Sequence, residues 1–367
     1  MANNLTEKEL EDLFHRKHDR PGDVFIQLLE RNGLIVAPGV YDAMGAQIAR
    51  QICAYRNAAL LPCSFNAVYG SGWAISAMLW GDPDMGFHDR SMMELIGGFI
   101  VAQAYPLPVI LDAETGFGTE ITLARTVEAY DRIGVALAHL EDQDSEQTRR
   151  CGNLGGKQCI SPEKMATKIK SWLMVSRTIG TSMRLMVRTD ALTAAGGGIE
   201  DALERGKRYM DVDVQGLRPT ILWADAMHKP GDIERWVTEM HKHDPKMILG
   251  INYSPNKDWT GYYREQFNQY PPSYEKLYTN GEGFRLIFHT ILQARADMES
   301  TWNTFTEMAD RGPEALWTLH ERQRNHPVGD AQGMSNAPIW QAYEQYIGGD
   351  ATVDRYKKSE GYKGDTK

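Results

Sequence analysis

Four carboxylates, one arginine and one cysteine in this chain are of a kind and spacing that could do chemistry together. Asp112 and Glu114 stand two apart in Leu111-Asp112-Ala113-Glu114. That spacing puts both on one side of an extended segment, because strand side chains alternate with period two. Glu141 and Asp84, the latter in Asp82-Pro83-Asp84-Met85-Gly86, add two more acids. If the four converge they repel one another unless a cation compensates. An all-oxygen set suits Mg2+, which keeps several waters and takes only one or two protein carboxylates directly. Ion pairs with nearby arginines would satisfy the same residues. Arg188 closes the apolar run before Thr189-Asp190, and a buried arginine needs a partner. A substrate carboxylate gripped in bidentate fashion would serve, as would a bridge to Glu141 or Asp112. Cys151 opens Cys151-Gly152-Asn153-Leu154-Gly155-Gly156-Lys157, just after Arg149-Arg150. A thiol near arginines can act as an acid or base, and glycine-hinged loops close as lids. An inert loop thiol is the bland alternative.

These residues need elements to position them, and a series of short apolar runs qualifies. The runs are Leu34–Ala37, Ala58–Pro62, Pro108–Leu111, Val135–Leu140, Leu185–Val187, Thr220–Trp223, Met247–Ile251 and, weakest, Lys276–Tyr278. Near-continuous apolar runs suit parallel strands buried on both faces. Amphipathic segments lie between them, among them Ile121–Ile133, Ser161–Ile179, Gly198–Met210 and Asp232–His243, with the periodicity of helices. Eight strands with helical crossovers predict a (β/α)8 barrel. Polar residues follow nearly every run: Asp42, Ser64, Asp112 with Glu114, Glu141 with Asp142, Arg188 with Asp190, Asp225, Asn252 with Ser254, and Thr279 with Asn280. Barrel enzymes carry their chemistry at these C-terminal strand ends.

The expected organisation is an N-terminal helical segment over 1–30, a catalytic barrel over 31–311 and a C-terminal helical extension over 312–367. The long helical pattern Phe284–Asp310 forms the end of the barrel region, and the tail Pro327–Lys367 is polar and rich in tyrosine. A net charge of −9 without a basic run argues against a nucleic-acid partner, which needs clustered lysine and arginine. Residues 1–21 lack the apolar core of a secretory signal. The longest apolar stretch, Leu95–Leu111, is broken by Gly97, Gly98, Pro106 and Pro108, which argues against a membrane span. The four cysteines match neither a disulfide framework nor a zinc motif. The expected setting is therefore cytoplasmic and reducing.

Taken in order, six pieces resemble the isocitrate lyase/phosphoenolpyruvate mutase superfamily, and isocitrate lyase most closely. They are Ser71-Gly72-Trp73, Asp112-Ala113-Glu114-Thr115-Gly116-Phe117-Gly118, His139-Leu140-Glu141-Asp142-Gln143, the Cys151–Lys157 loop, Arg188-Thr189-Asp190-Ala191, and Asn252-Tyr253-Ser254-Pro255 with Trp259. Six such pieces in one order make chance similarity improbable. The resemblance implies a barrel whose last helix is exchanged between subunits of a homotetramer or dimer. It also implies retro-aldol cleavage of a 2-hydroxy acid to glyoxylate, or a related 2-oxo acid, and a carboxylic acid. Carried over to this chain, Asp112 would bind Mg2+ (Mn2+ being the alternative ion) while Asp84, Glu114 and Glu141 hold its waters. Ser71, Gly72, Trp73 and Arg188 would grip the glyoxylate half, with Tyr69 near the reacting hydroxyl. Cys151 would be the general acid, and Gly152, Asn252 and Ser254 would bind substrate.

The departures from the pattern cluster on the other half of the substrate. Asn153 replaces a histidine, Asn256 a serine, Asp258 an asparagine and Asp225 a glutamate. A threonine after the last strand aligns with Asn280 or Thr279. These changes predict an altered distal pocket, taking a distal half with less negative charge or with an added polar or bulkier group. They leave a carbon–carbon lyase as the leading reading. Oxaloacetate hydrolysis, a phosphonopyruvate-type mutase or hydrolase reaction, and a non-catalytic metabolite-binding barrel are the alternatives.

Overall fold

The computed structural model of the chain describes residues 6–61, 63–145, 151 and 154–358. Lys17–Arg295 form one compact unit. Its centre is a closed barrel of eight parallel strands in sequence order: β1 (Ile35–Val40), β2 (Val68–Gly70), β3 (Val109–Asp112), β4 (Leu137–Glu141), β5 (Arg184–Thr189), β6 (Ile221–Ala224), β7 (Ile248–Asn252) and β8 (Phe284–His289). β8 pairs back onto β1, so no strand edge is left open. Helices such as Arg90–Ala104, Leu123–Ile133, Pro162–Ile179 and Ile199–Met210 connect the strands. The fold is a (β/α)8 barrel.

Alternation along the strands divides their side chains between two surroundings. Ile35, Tyr69, Ile110, Leu137, Met186, Trp223 and Phe288 share one interior cluster. Their neighbours Val68, Leu111, Leu140, Val187, Leu222 and Ile287 pack instead with helical residues such as Ile100, Trp172, Ala202 and Trp236. Helix Pro21–Asn32 adds Phe25 and Leu29 to the interior cluster. Both are fully buried, and each contributes about 1.5–3 kcal/mol.

The same alternation aims the functional residues. Two positions beyond an inward-facing apolar residue, the next inward position falls at the C-terminal end of the strand. Tyr69 is followed in this way by Ser71, Ile110 by Asp112, Met186 by Arg188, Trp223 by Asp225 and Phe288 by Thr290. On β4 the inward series runs Leu137, His139, Glu141. The mouth chemistry is thus a continuation of the barrel's packing register.

Two of the eight expected strands lie elsewhere. The run Ala58–Pro62 was expected to be the second strand, yet Ala58 ends the helix Ala43–Ala58, and β2 is a three-residue strand further on. The expected eighth strand, Lys276–Tyr278, falls in the short helix Tyr274–Tyr278. The true β8 reads Phe-Arg-Leu-Ile-Phe-His and occupies the start of the segment expected to be helical from Phe284. The helix itself is Leu292–Arg311.

The second unit comprises Met1–Arg16 and Ala296–Lys367. Within it Phe14 packs edge-on against Trp340 and Tyr343, with ring centroids 6.3 and 5.1 Å away. Within the polar tail, Ala337–Lys358 is helical up to the last described residue, with a kink at Gly349. No helix among the described residues is long and apolar enough to cross a membrane.

Candidate active site

A cleft at the C-terminal mouth of the barrel is lined by Tyr69, Ser71, Trp73, Asp84, Asp112, Glu141, Cys151, Arg188, Asp225, Asn252 and Ser254. All eleven were expected at one site, and the fold brings them together. Glu114 is buried behind Asp112, whose Oδ1 accepts its backbone N–H at 2.8 Å. Gly152 and Asn153 lie outside the described residues.

The carboxylates meet at Gly72. A Cβ added there would run into Glu114 Oε1 and Asp112 Oδ2, so the glycine keeps open the cradle between them. Asp112 Oδ2 accepts the Gly72 N–H at 3.2 Å, at the start of helix Gly72–Trp80. Ser71 caps that helix, its side chain accepting the Ala74 N–H. Burial pushes the Glu141 carboxyl well above its ordinary range, and Asp190, Asp112 and Asp84 push the same way against Arg188. Oxygen donors crowded around an open cradle fit a hard divalent cation such as Mg2+. Asp84, His88 and Glu114 also group closely enough to hold an ion. However, His88 Nε2 lies 2.7 Å from Glu114 Oε1, and its Nδ1 lies 2.7 Å from Ser76 Oγ. With both ring nitrogens engaged, His88 orients Glu114 and is a poor ligand.

Tyr69 and His139 form a buried pair beside Asp112. Burial holds the His139 imidazole down to about 4 despite Asp112, so it is neutral near pH 7. Its Nε2 lies 3.0 Å from Asp112 Oδ1, and its Nδ1 lies 3.2 Å from the Tyr69 hydroxyl. The approach of Nε2 to Asp112 is close but lacks hydrogen-bond alignment, so the hydrogen bond of this imidazole is the one between Nδ1 and the Tyr69 hydroxyl.

Arg188 sits over the Trp223 ring at 4.5 Å. Its Nε and Nη2 reach the two Asp190 oxygens at 2.8 and 2.9 Å. Nη1 lies 3.2 Å from Glu141, and Nη2 lies 3.3 Å from Asp225. The bridge to Glu141 is therefore present, and the fork that a substrate carboxylate would use is filled by Asp190. Lys157, fully buried, adds contacts to Asp190 at 2.8 Å and Asp225 at 3.4 Å. Cys151 is tied to the loop that carries Asp84, its N–H donating to the Asp84 carbonyl at 2.8 Å.

A family model described as phosphoenolpyruvate phosphomutase matches residues 25–245 of the chain. The chain belongs to the phosphoenolpyruvate mutase/isocitrate lyase superfamily. It is 27% identical over 339 residues to isocitrate lyase of Haloferax volcanii, covering 92% of this chain and 89% of that one. It is 37% identical over 185 residues to 2,3-dimethylmalate lyase of Eubacterium barkeri, covering 50% of this chain and 58% of that one. The structure of oxaloacetate acetylhydrolase with 3,3-difluorooxalacetate shares the fold, with TM-score 0.67 and 24% identity over 94% of this chain and all of that one.

A threonine directly after β8, Thr290, lines the cleft and donates to Asn252 Oδ1 at 3.4 Å. Asn280 and Thr279 instead lie in the turn Thr279–Gly281, ahead of β8 and so at the opposite end of the barrel. Asn256 is corrected as well: its side chain is exposed, and the cleft residue of that loop is Lys257. Sequence reasoning also missed Gln143, Trp223, Met227 and Ile291 among the lining residues. Of these, Gln143 and Trp223 carried a signal, since one closes the His139–Gln143 motif and the other precedes Asp225 by two.

Proposed function

We propose that this protein is a Mg2+-dependent carbon–carbon lyase that cleaves an isocitrate-like 2-hydroxy acid to a 2-oxo acid, glyoxylate or a close relative, and a carboxylic acid. One observation carries the reading: Asp84, Asp112 and Glu141 share a single cleft with Cys151 and Arg188. Asp112 would hold the ion directly, with Asp84, Glu114 and Glu141 holding its waters. When bound, the ion would stabilise the alkoxide formed as the 2-hydroxyl gives its proton to water, a charge that passes to the departing acid as the bond breaks. The chain's own groups do the rest. Ser71, Gly72 and Trp73 receive the oxo-acid half, over the positive charge of Arg188. Tyr69 lies beside the substrate hydroxyl. Cys151 donates the proton that quenches the carbanion left on the departing acid. Manganese would serve in place of magnesium.

The test is a panel of 2-hydroxy di- and tricarboxylates incubated with Mg2+ and a hydrazine trap. The expected product is the hydrazone of glyoxylate or another 2-oxo acid, absent when EDTA replaces Mg2+. Carbonyl release from no member of the panel would refute cleavage.

We also propose that the protein assembles through the helix Leu292–Arg311, whose only buried residue is Ala294. Met298, Trp302, Phe305 and Met308 recur on it at helical spacing, with Trp302 75% exposed. An apolar stripe of this kind is suited to a second copy of the chain. Sedimentation at micromolar concentration is expected to give a dimer or tetramer, with Trp302→Glu/Phe305→Glu shifting it towards monomer. A wild-type monomer would contradict the assignment.

A further inference from the structure

Among the described residues the cleft has one cation that the rest of the site leaves unmatched. Arg188 is shared by Asp190, Glu141 and Asp225, and Lys157 by Asp190 and Asp225. Lys257 also lines the cleft, yet no carboxylate pairs with it among the described residues.

Its position is built by the backbone. The Lys257 N–H donates to the Ser254 carbonyl at 3.1 Å, closing a turn, and its own carbonyl accepts the Trp259 N–H at 2.9 Å. Trp259 fixes that turn from behind, with its indole N–H on the Ser254 carbonyl at 2.9 Å and its ring stacked on Tyr253 at 4.2 Å. The turn leaves Asn256 exposed and turns Lys257 towards the cleft. Asn252, Ser254 and Thr290 supply neutral polar groups in the same part of the cleft, and Met227 and Ile291 supply apolar walls. Burial holds the nearby His228 down, the Ala226 carbonyl and Asp232 push the other way, and Lys257 and Lys229 add to the lowering.

We infer that Lys257 is a specificity-determining residue. It selects a substrate whose distal end carries a carboxylate, and the apolar walls beside it admit an alkyl substituent. The substrate class is then a 2-hydroxy dicarboxylate, open to alkyl branching at its distal half. This deepens the lyase reading and rests on it for the oxo-acid end of the substrate.

The test uses the full-length protein with Mg2+ and two readouts. In the first, succinate, a non-cleavable dicarboxylate, is titrated calorimetrically alongside its monoamide, succinamate. Wild type is expected to prefer succinate. Lys257→Gln is expected to lose about 10- to 100-fold in succinate affinity, the worth of one charge-assisted hydrogen bond, and to lose the preference over the amide. Lys257→Arg is expected to keep both. In the second readout, the best substrate of the hydroxy-acid panel should show a KM raised by a similar factor in Lys257→Gln, with kcat falling far less. Unchanged succinate affinity in Lys257→Gln, or a preference that survives the substitution, overturns the inference. Succinate discrimination lost in Lys257→Gln while no hydroxy acid is cleaved by wild type would uphold Lys257 and refute the lyase reading instead.

Discussion

Replacing Asp112 by alanine is expected to abolish calorimetrically measurable Mg2+ binding and to lower turnover by at least about 1,000-fold, the equivalent of several kcal/mol of lost charge stabilisation. The reason is convergence. Asp112 faces the cradle left by Gly72 together with Glu114, and it is the acid into which two fixed backbone donors point: the Gly72 N–H and the Glu114 N–H. Those donors aim the carboxylate. Its removal leaves them unpaired, so the alanine variant should also unfold more easily, by about 1–3 kcal/mol. Asp112→Asn separates the two effects. An amide can still accept one of the two donors but offers the ion no charge, so it should recover part of the stability and none of the metal affinity. Circular dichroism melts and Mg2+ titrations on both variants check this. A folded Asp112→Ala protein with wild-type Mg2+ affinity would show that the ion site lies elsewhere.

Cys151→Ser should lower kcat by about 100-fold or more, within the usual range for loss of a general acid. The substitution keeps the backbone contacts that place the residue, the N–H to Asp84 and the carbonyl that accepts the Leu154 N–H at 2.8 Å. It changes chiefly the acidity of the side chain, since a hydroxyl gives up its proton far less readily than a thiol. Binding of a non-reacting 2-oxo acid should therefore be nearly unchanged. The alkaline limb of the kcat profile should move to higher pH, because the hydroxyl stays protonated where the thiol does not. A serine variant with most of the wild-type rate, or with an unmoved alkaline limb, would make Cys151 a bystander.

How far the sequence could be read depends on which residues face inward. The strands around Ile110, Leu140, Val187, Leu222 and Leu249 announced themselves as apolar runs because both faces of each are buried. The acids and Arg188 at their ends followed by alternation. β2 was hidden because it has three residues and a stronger apolar run just before it, at the end of helix Ala43–Ala58 and in the connector beyond. β8 was hidden because Arg285 interrupts it and the helix Leu292–Arg311 follows closely, so one helical pattern covered both. Displacing β8 then displaced the threonine that follows it, which is why Asn280 stood in for Thr290. Lys257 had no signature at all. A lysine in a polar loop reads as solvated, and only the Ser254–Lys257 turn directs it into the cleft. His88 was invisible for a similar reason: its partners Ser76 and Glu114 are 12 and 26 residues away, a pairing that only the folded chain creates.

Carbon–carbon cleavage itself is tested most directly by isotope placement. With the best hydroxy acid of the panel and Mg2+ in deuterium oxide, retro-aldol cleavage predicts one deuterium in the carboxylic acid product, on the carbon that lost its bond, and none on carbon in the 2-oxo acid. In water enriched in oxygen-18, neither product should gain a label by the cleavage step. A carboxylic acid product without deuterium would contradict carbanion formation and with it the lyase, and a product carboxylate that takes one oxygen from water during turnover would contradict the lyase and identify a hydrolase.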